Sequence, residues 1–178
     1  MIVRLLTALV MVMSLTTPAL AQLAKGDRAP DFTTRVALAG EATSFSLSEA
    51  LTNGPVVVYF YPKAFTHGCT LEANAFAVAM PDFEAAGASV IGMSGDDIET
   101  LKRFSREECR DAFPVGVASP SLISSYGVSQ NGTQMARRTS YVISQDGRIH
   151  YVYDSSDYRA HTRQTLASVR GLTGRARK

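Results

Sequence analysis

Apolar residues fall along the chain in short blocks whose period changes from place to place. Val56-Val57-Val58-Tyr59-Phe60 is unbroken, has the length of a strand and follows the stop signal Asn53-Gly54-Pro55, so it predicts a fully buried strand. Ser89 to Met93 predicts a second. Thr33 to Leu38 and Thr43 to Leu47 flank Ala39-Gly40-Glu41 as a β-hairpin, after an irregular stretch from Lys25 to Phe32. Thr139 to Ser144 and Arg148 to Tyr153 form another, joined by Gln145-Asp146-Gly147.

Helical periods fill the gaps. Ser48 to Leu51 predicts a short turn, and the alanine-rich stretch from His67 to Met80 a long helix with Leu71, Ala75, Val78 and Ala79 on one face. Pro81 should kink that helix or restart it as Asp82 to Ala86, with Gly87 as a stop. Asp96-Asp97-Ile98-Glu99 offers a capping-box start for a helix reaching Arg110, which puts Cys109 in the apolar stripe of Ile98 and Leu101. Phe113 to Val117 reads as extended, Ser121 to Tyr126 as a small helix, and Asp157 to Val169 as a final amphipathic helix with Gly171 beyond its end. Strands separated by helices imply a parallel core, and the closing hairpin adds antiparallel strands at one side. The prediction is an α/β fold with a central mixed sheet flanked by helices and an N-terminal β-hairpin.

Composition changes this picture only at the ends. Arg4, the apolar stretch Leu5 to Leu15 and Ala19-Leu20-Ala21 have the form of a secretory signal cleaved after Ala21, with an uncleaved membrane anchor as the alternative. Residues 22–178 then form one domain, of which about 172–178 are a frayed basic tail, and the expected location is periplasmic or secreted. A formal net charge of +2 gives no electrostatic case for nucleic-acid binding. No stable membrane association is expected once the signal is gone.

The candidate chemistry sits where the first buried strand meets the long helix. A short loop after the strand delivers Cys69 to the helix's first turn, and Thr66 as N-cap makes Cys69 the third helical residue. A thiol there feels the positive end of the helix dipole and free backbone N–H donors, both of which favour the thiolate. Cys109 is the second cysteine, and in an oxidising compartment the two could pair. No Cys/His cluster suggests a metal, and no cofactor motif is present.

Pro62, Thr66 and Cys69, spaced Pro-x-x-x-Thr-x-x-Cys and followed by Thr70 and Glu72, resemble the active-site signature of the peroxiredoxins. The flanking residues are most similar to the peroxiredoxin Q (bacterioferritin comigratory protein) branch. The likeness runs from roughly Lys25 to Gly171 through Lys25-Gly26-Asp27-Arg28-Ala29-Pro30-Asp31-Phe32 and Arg138-Thr139-Ser140-Tyr141-Val142-Ile143. It implies a thioredoxin-like fold and a thiol peroxidase without metal or organic cofactor. The substrate would be hydrogen peroxide or an organic hydroperoxide, and an external thiol or thioredoxin-like dithiol would restore the enzyme.

By that resemblance Cys69 is the peroxidatic nucleophile, Thr66 positions the peroxide, Pro62 shields it from water and Arg138 lies over the sulfur. Arg137, next to it, would point the other way along a strand. Glu72 would support Arg138 or the neighbouring loops, unless it is a solvated helix carboxylate, and Gly68 allows close backbone approach. His67 stands where the family commonly has proline, and Asn74 where many peroxiredoxin Q proteins carry a resolving cysteine. Cys109, before Phe113-Pro114, resembles the alternative resolving position on the next helix. A monomer or weak dimer is expected.

Two other readings stand beside the peroxidase. A thiol-disulfide oxidoreductase would need Cys-x-x-Cys, but Glu72 occupies the second position. A permanent Cys69–Cys109 staple in a non-catalytic protein would close a loop of about 40 residues, worth on the order of 4 kcal/mol from chain entropy.

Overall fold

The apolar run forms β3 (Val56–Phe60), and every residue of it is buried. The computed structural model describes residues 22–130, 133 and 135–176, so the expected signal segment lies outside the described residues. Val57 and Tyr59 enter the hydrophobic cluster on one face of the sheet, while Val56, Val58 and Phe60 enter the cluster on the other. An unbroken apolar strand needs cover on both sides, and the helices provide it.

β1 (Thr33–Leu38) and β2 (Glu41–Ser46) form the first hairpin, turning through Ala39 and Gly40, both at positive φ. α1 (Leu47–Asn53) follows with Ser46 as its N-cap. Beyond β3 come α2 (His67–Ala85), β4 (Ser89–Ser94), α3 (Ile98–Glu107), β5 (Val115–Val117) and α4 (Pro120–Ser125). β6 (Thr139–Ile143) and β7 (Ile149–Asp154) make the closing hairpin, and a 3₁₀ turn (Tyr158–Ala160) leads into α5 (His161–Ala176). The strands form one seven-stranded sheet in the order β2-β1-β5-β4-β3-β6-β7. β3, β4 and β5 are parallel, and β6 joins β3 antiparallel, which is the mixed sheet expected from the element order. Gly92 on β4 is required by packing, because a Cβ there would lie 2.7 Å from the Tyr59 hydroxyl.

Local expectations on three helices are corrected. α2 runs through Pro81 without restarting, with that ring exposed at the surface. Its inward face is not Leu71, Ala75 and Val78; Val78 is 69% exposed, and Cys69, Glu72, Ala73, Phe76, Met80 and Phe83 are buried instead. Alanines on every side leave the spacing with no unique apolar face. The large side chains decide, since burying each phenylalanine is worth roughly 1.5–3 kcal/mol.

α3 starts at N-cap Asp97, whose carboxylate accepts from the Thr100 N–H, so the capping box on Asp96 does not form. That helix ends at Glu107 rather than Arg110. Arg110 and Asp111 adopt left-handed φ of 52° and 57°, and the Cys109 and Asp111 N–H groups turn back to the Phe104 and Ser105 carbonyls. Cys109 therefore lies in a turn past the helix. α5, by contrast, continues through Gly171 to Ala176, so much of the expected tail is helical. Leu166 and Val169 dock it on the core, which offsets the cost of a mid-helix glycine, about 1 kcal/mol.

Candidate active site

The site grows from the end of β3. The Tyr61 N–H donates to the Met93 carbonyl and holds the chain against β4 for one residue past the strand. The loop then leaves the sheet, and Asp96 pins it: its Oδ2 accepts from the Ala64 N–H at 2.7 Å and from the Ser94 hydroxyl at 2.8 Å. Phe65 takes a left-handed φ of 61°, uncommon for a residue with a bulky side chain. Its ring packs edge-on against Phe104 of α3, with the Arg103 guanidinium 5.3 Å from its centre. Asp96 and these α3 contacts were not among the expected site residues. Asp96 carries no motif of its own, and only the folded chain brings it beside residue 64.

Thr66 is the N-cap of α2, and Cys69 is the third helical residue, as the spacing predicts. The Thr66 side chain makes no cap bond, however; its hydroxyl donates to the Lys63 carbonyl at 3.0 Å. The N–H groups of His67, Gly68 and Cys69 thus point out of the helix start without that oxygen as acceptor. His67 is exposed, Pro62 half-buried, and Cys69 1% exposed.

Arg138 arrives from just ahead of β6. Its Nη2 donates to Cys69 Sγ at 3.3 Å, and its Nη1 is ion-paired with Glu72 Oε2. Arg137 points away, bonded to the Gly127 carbonyl and paired with Asp154, so the two neighbouring arginines serve different sites; both lie ahead of β6 rather than within the strand. Gly68 lets the guanidinium in, since a Cβ there would sit 3.3 Å from Arg138 Nη2 and 3.5 Å from the Tyr158 ring. Glu72 is wholly buried, not solvated. Burial pushes its carboxyl up to about 8 against the pull of the Arg138 charge.

A residue the sequence reading missed completes the network. His161, the first residue of α5, is fully buried with its Nδ1 3.7 Å from Glu72 Oε1. Burial lowers its imidazole to about 4, with the Ser155 carbonyl opposing and Arg138 adding to the effect. Ninety-odd residues separate Cys69 from the end of this network, and no local pattern in the chain marks the histidine.

Cys109 is in a different environment. It is fully buried in the same core cluster as Cys69, and both are free thiols. Burial, with Glu108 and Asp111 adding like charge, pushes the Cys109 thiol far above its usual range. Asn74 bridges the two regions: its amide donates to the Thr70 carbonyl at 2.9 Å and to Glu108 Oε2 at 3.1 Å.

A thioredoxin-like sheet that presents a cysteine at a helix start beneath a guanidinium defines the thiol peroxidases, and residues 25–152 match the AhpC/TSA family, to which the chain belongs. Its relatives there are of the peroxiredoxin Q and Bcp type. It is 35% identical over 154 residues to peroxiredoxin Q, chloroplastic, of Oryza sativa subsp. japonica, covering 85% of this chain and 69% of that one. Peroxiredoxin Bcp of Escherichia coli strain K12 is 34% identical over 105 residues, 56% of this chain and 67% of that one. Among solved structures, peroxidoxin BcpB from Mycobacterium tuberculosis superposes with a TM-score of 0.75 at 33% identity, covering 83% and 97% of the two chains. The bacterioferritin comigratory protein of Xanthomonas campestris gives 0.69 at 27% identity, covering 78% and 91%. The protein is a thiol-dependent peroxidase of peroxiredoxin Q/Bcp type.

Proposed function

We propose that Cys69 is the peroxidatic nucleophile and that the fold holds it as a thiolate for one step. The sulfur attacks the terminal peroxide oxygen, the O–O bond breaks, and sulfur is oxidised to the sulfenic acid while the alkoxide or hydroxide leaves and takes up a proton. Speed requires stabilising the charge that moves onto the departing oxygen, because low basicity alone weakens a nucleophile. Arg138 and the unclaimed N–H groups at the start of α2 are the donors placed to do so. Thr66 positions the peroxide, Pro62 limits water, Gly68 makes room for the guanidinium and Glu72 aims it. The observation that carries this reading is the Arg138 Nη2 to Cys69 Sγ contact of 3.3 Å at the third residue of a helix.

Cys109 resolves the sulfenic acid in this reading, releasing water as the Cys69–Cys109 disulfide forms. Burial and like charge disfavour its thiolate, so its turn must open first. A thioredoxin-type dithiol then reduces the bridge. Alkyl hydroperoxides are included as substrates, since the Xanthomonas campestris neighbour is described by its alkyl peroxide reduction. The pattern at Arg4, Leu5 to Leu15 and Ala19 to Ala21 supports export with cleavage after Ala21. Among the described residues the large exposed apolar side chains are few, namely Leu38, Phe65, Leu71, Val78 and Met135, which supports a monomer or weak dimer.

Competition kinetics with wild type, Cys69→Ser and Cys109→Ser test the assignment. Cys69→Ser should abolish rapid peroxide consumption, and Cys109→Ser should retain the first oxidation but recycle differently. Equal slow consumption by all three overturns it. Mass measurement of the protein recovered from a periplasmic extract tests the cleavage site.

A further inference from the structure

The chain between Pro62 and Thr66, the two residues placed at the peroxide, is held at its midpoint by a group that the chemistry above leaves unused. Asp96 lies just past β4, and its Oδ2 accepts from the Ala64 N–H at 2.7 Å and from the Ser94 hydroxyl at 2.8 Å. Ala64 and Ser94 are both buried, and one carboxylate oxygen serves both, so Ser94 fixes the acceptor that fixes the loop. A charged acceptor makes such bonds roughly twice as strong as neutral ones.

One residue further on, the backbone does what its side chain disfavours. Phe65 stands at φ 61°, where a Cβ crowds the following carbonyl and which glycine alone takes freely. Its ring meets Phe104 edge-on at 5.2 Å and lies under the Arg103 guanidinium, yet stays 36% exposed. A costly conformation persists only where its surroundings impose it. Thr66 then returns to extended backbone and caps α2. The left-handed step thus turns the chain from its anchor on Asp96 into the start of the helix that carries Cys69.

We propose that Asp96 is a positioning residue for peroxide reduction: its carboxylate holds residues 62–66 against the strain at Phe65 and so keeps Pro62, Thr66 and the N–H groups at the start of α2 in place around the Cys69 sulfur. The proposal rests on Cys69 being the nucleophile. Asp96 acts through the Ala64 N–H. Without that anchor the strain at Phe65 is opposed only by the ring contacts, so a smaller fraction of molecules holds the productive arrangement and the rate falls with that fraction.

Stopped-flow oxidation of Cys69 by hydrogen peroxide, on the full chain, tests this. Asp96→Ala should slow the step by about 10²-fold, the loss that a misplacement of roughly 1 Å brings. Asp96→Asn keeps an oxygen for both donors and should stay within about tenfold of the unsubstituted chain. A second comparison reads the strain. In the Asp96→Ala background, Phe65→Gly should oxidise faster than Phe65→Ala, by up to about tenfold, because both lose the ring and only glycine takes the left-handed φ without cost. At an ordinary backbone position the looser glycine would be the slower of the two. An unchanged rate in Asp96→Ala, an Asp96→Asn as slow as Asp96→Ala, or an alanine at 65 that matches or exceeds glycine overturns the proposal. If Asp96→Ala does not fold, hydrogen exchange at the Ala64 amide decides. Protection in the unsubstituted chain that drops about tenfold in Ser94→Ala supports the anchor, and equal exchange in the two overturns it. Rapid peroxide reduction surviving in Cys69→Ser would instead overturn the nucleophile assignment, leaving the exchange at Ala64 as a separate result.

Discussion

Cys69 and Cys109 share a core cluster and are almost equally hidden, at 1% and 0% exposure, yet their surroundings differ in every other respect. Cys69 opens a helix and receives a guanidinium hydrogen bond. Cys109 follows a helix end in a left-handed turn, beside Glu108 and Asp111. Burial therefore does not distinguish the two thiols. What separates them is whether burial comes with donors aimed at the sulfur.

The strongest way to break this contrast is to take the donor away. Arg138→Met should slow Cys69 oxidation by about 10²–10³-fold, the cost typical of removing one charge-stabilising donor. Cys109 alkylation should be unchanged. Equal rates of Cys69 oxidation in the two proteins would show that the helix start suffices. A smaller effect is expected from Glu72→Gln, which frees the guanidinium from its carboxylate but leaves it above the sulfur. Competition kinetics should place that variant between wild type and Arg138→Met.

Stability against pH sharpens the comparison further. Glu72 has its carboxyl raised from 4.5 to about 8, so the folded chain retains a proton that the unfolded chain has released. Its contribution is present below 4.5 and lost as pH rises toward 8, a change of a few kcal/mol. His161 has the opposite sign: lowered from 6.5 to about 4, it contributes stability above 6.5 that is lost as pH falls through about 4. Thermal melts across pH should show the alkaline slope flattened in Glu72→Gln and the acid slope flattened in His161→Gln. The smallest effect belongs to Asp111→Asn, which removes one like charge near Cys109 and should speed its alkylation slightly in the native state.

Much of this was legible in the chain. The run Val56 to Phe60 fixed the central strand because five apolar residues bounded by Gly-Pro leave few alternatives. The interval from Thr66 to Cys69 placed the sulfur at the third helical residue. Arg138 was read through the family resemblance, and it turns to Cys69 while Arg137 turns to Gly127 and Asp154, although both lie ahead of β6 and not in the strand. The buried face of α2 was not legible, because alanine-rich helices look apolar all round until Phe76 and Phe83 find their partners. Nor was the end of α3 at Glu107, or the turn beyond it, where two consecutive left-handed residues occur with no glycine to announce them. Glu72 and His161 meet only through tertiary packing, so neither sequence spacing nor composition signals their contact.

Asn74 grips the Thr70 carbonyl with one hand and Glu108 with the other, so the opening turns of α2 and the bend that carries Cys109 are tethered by a single amide. Unwinding α2 through Thr70 would break the first of these bonds and leave the second. Any opening that the proposed reaction requires at either thiol would therefore be felt at this one side chain.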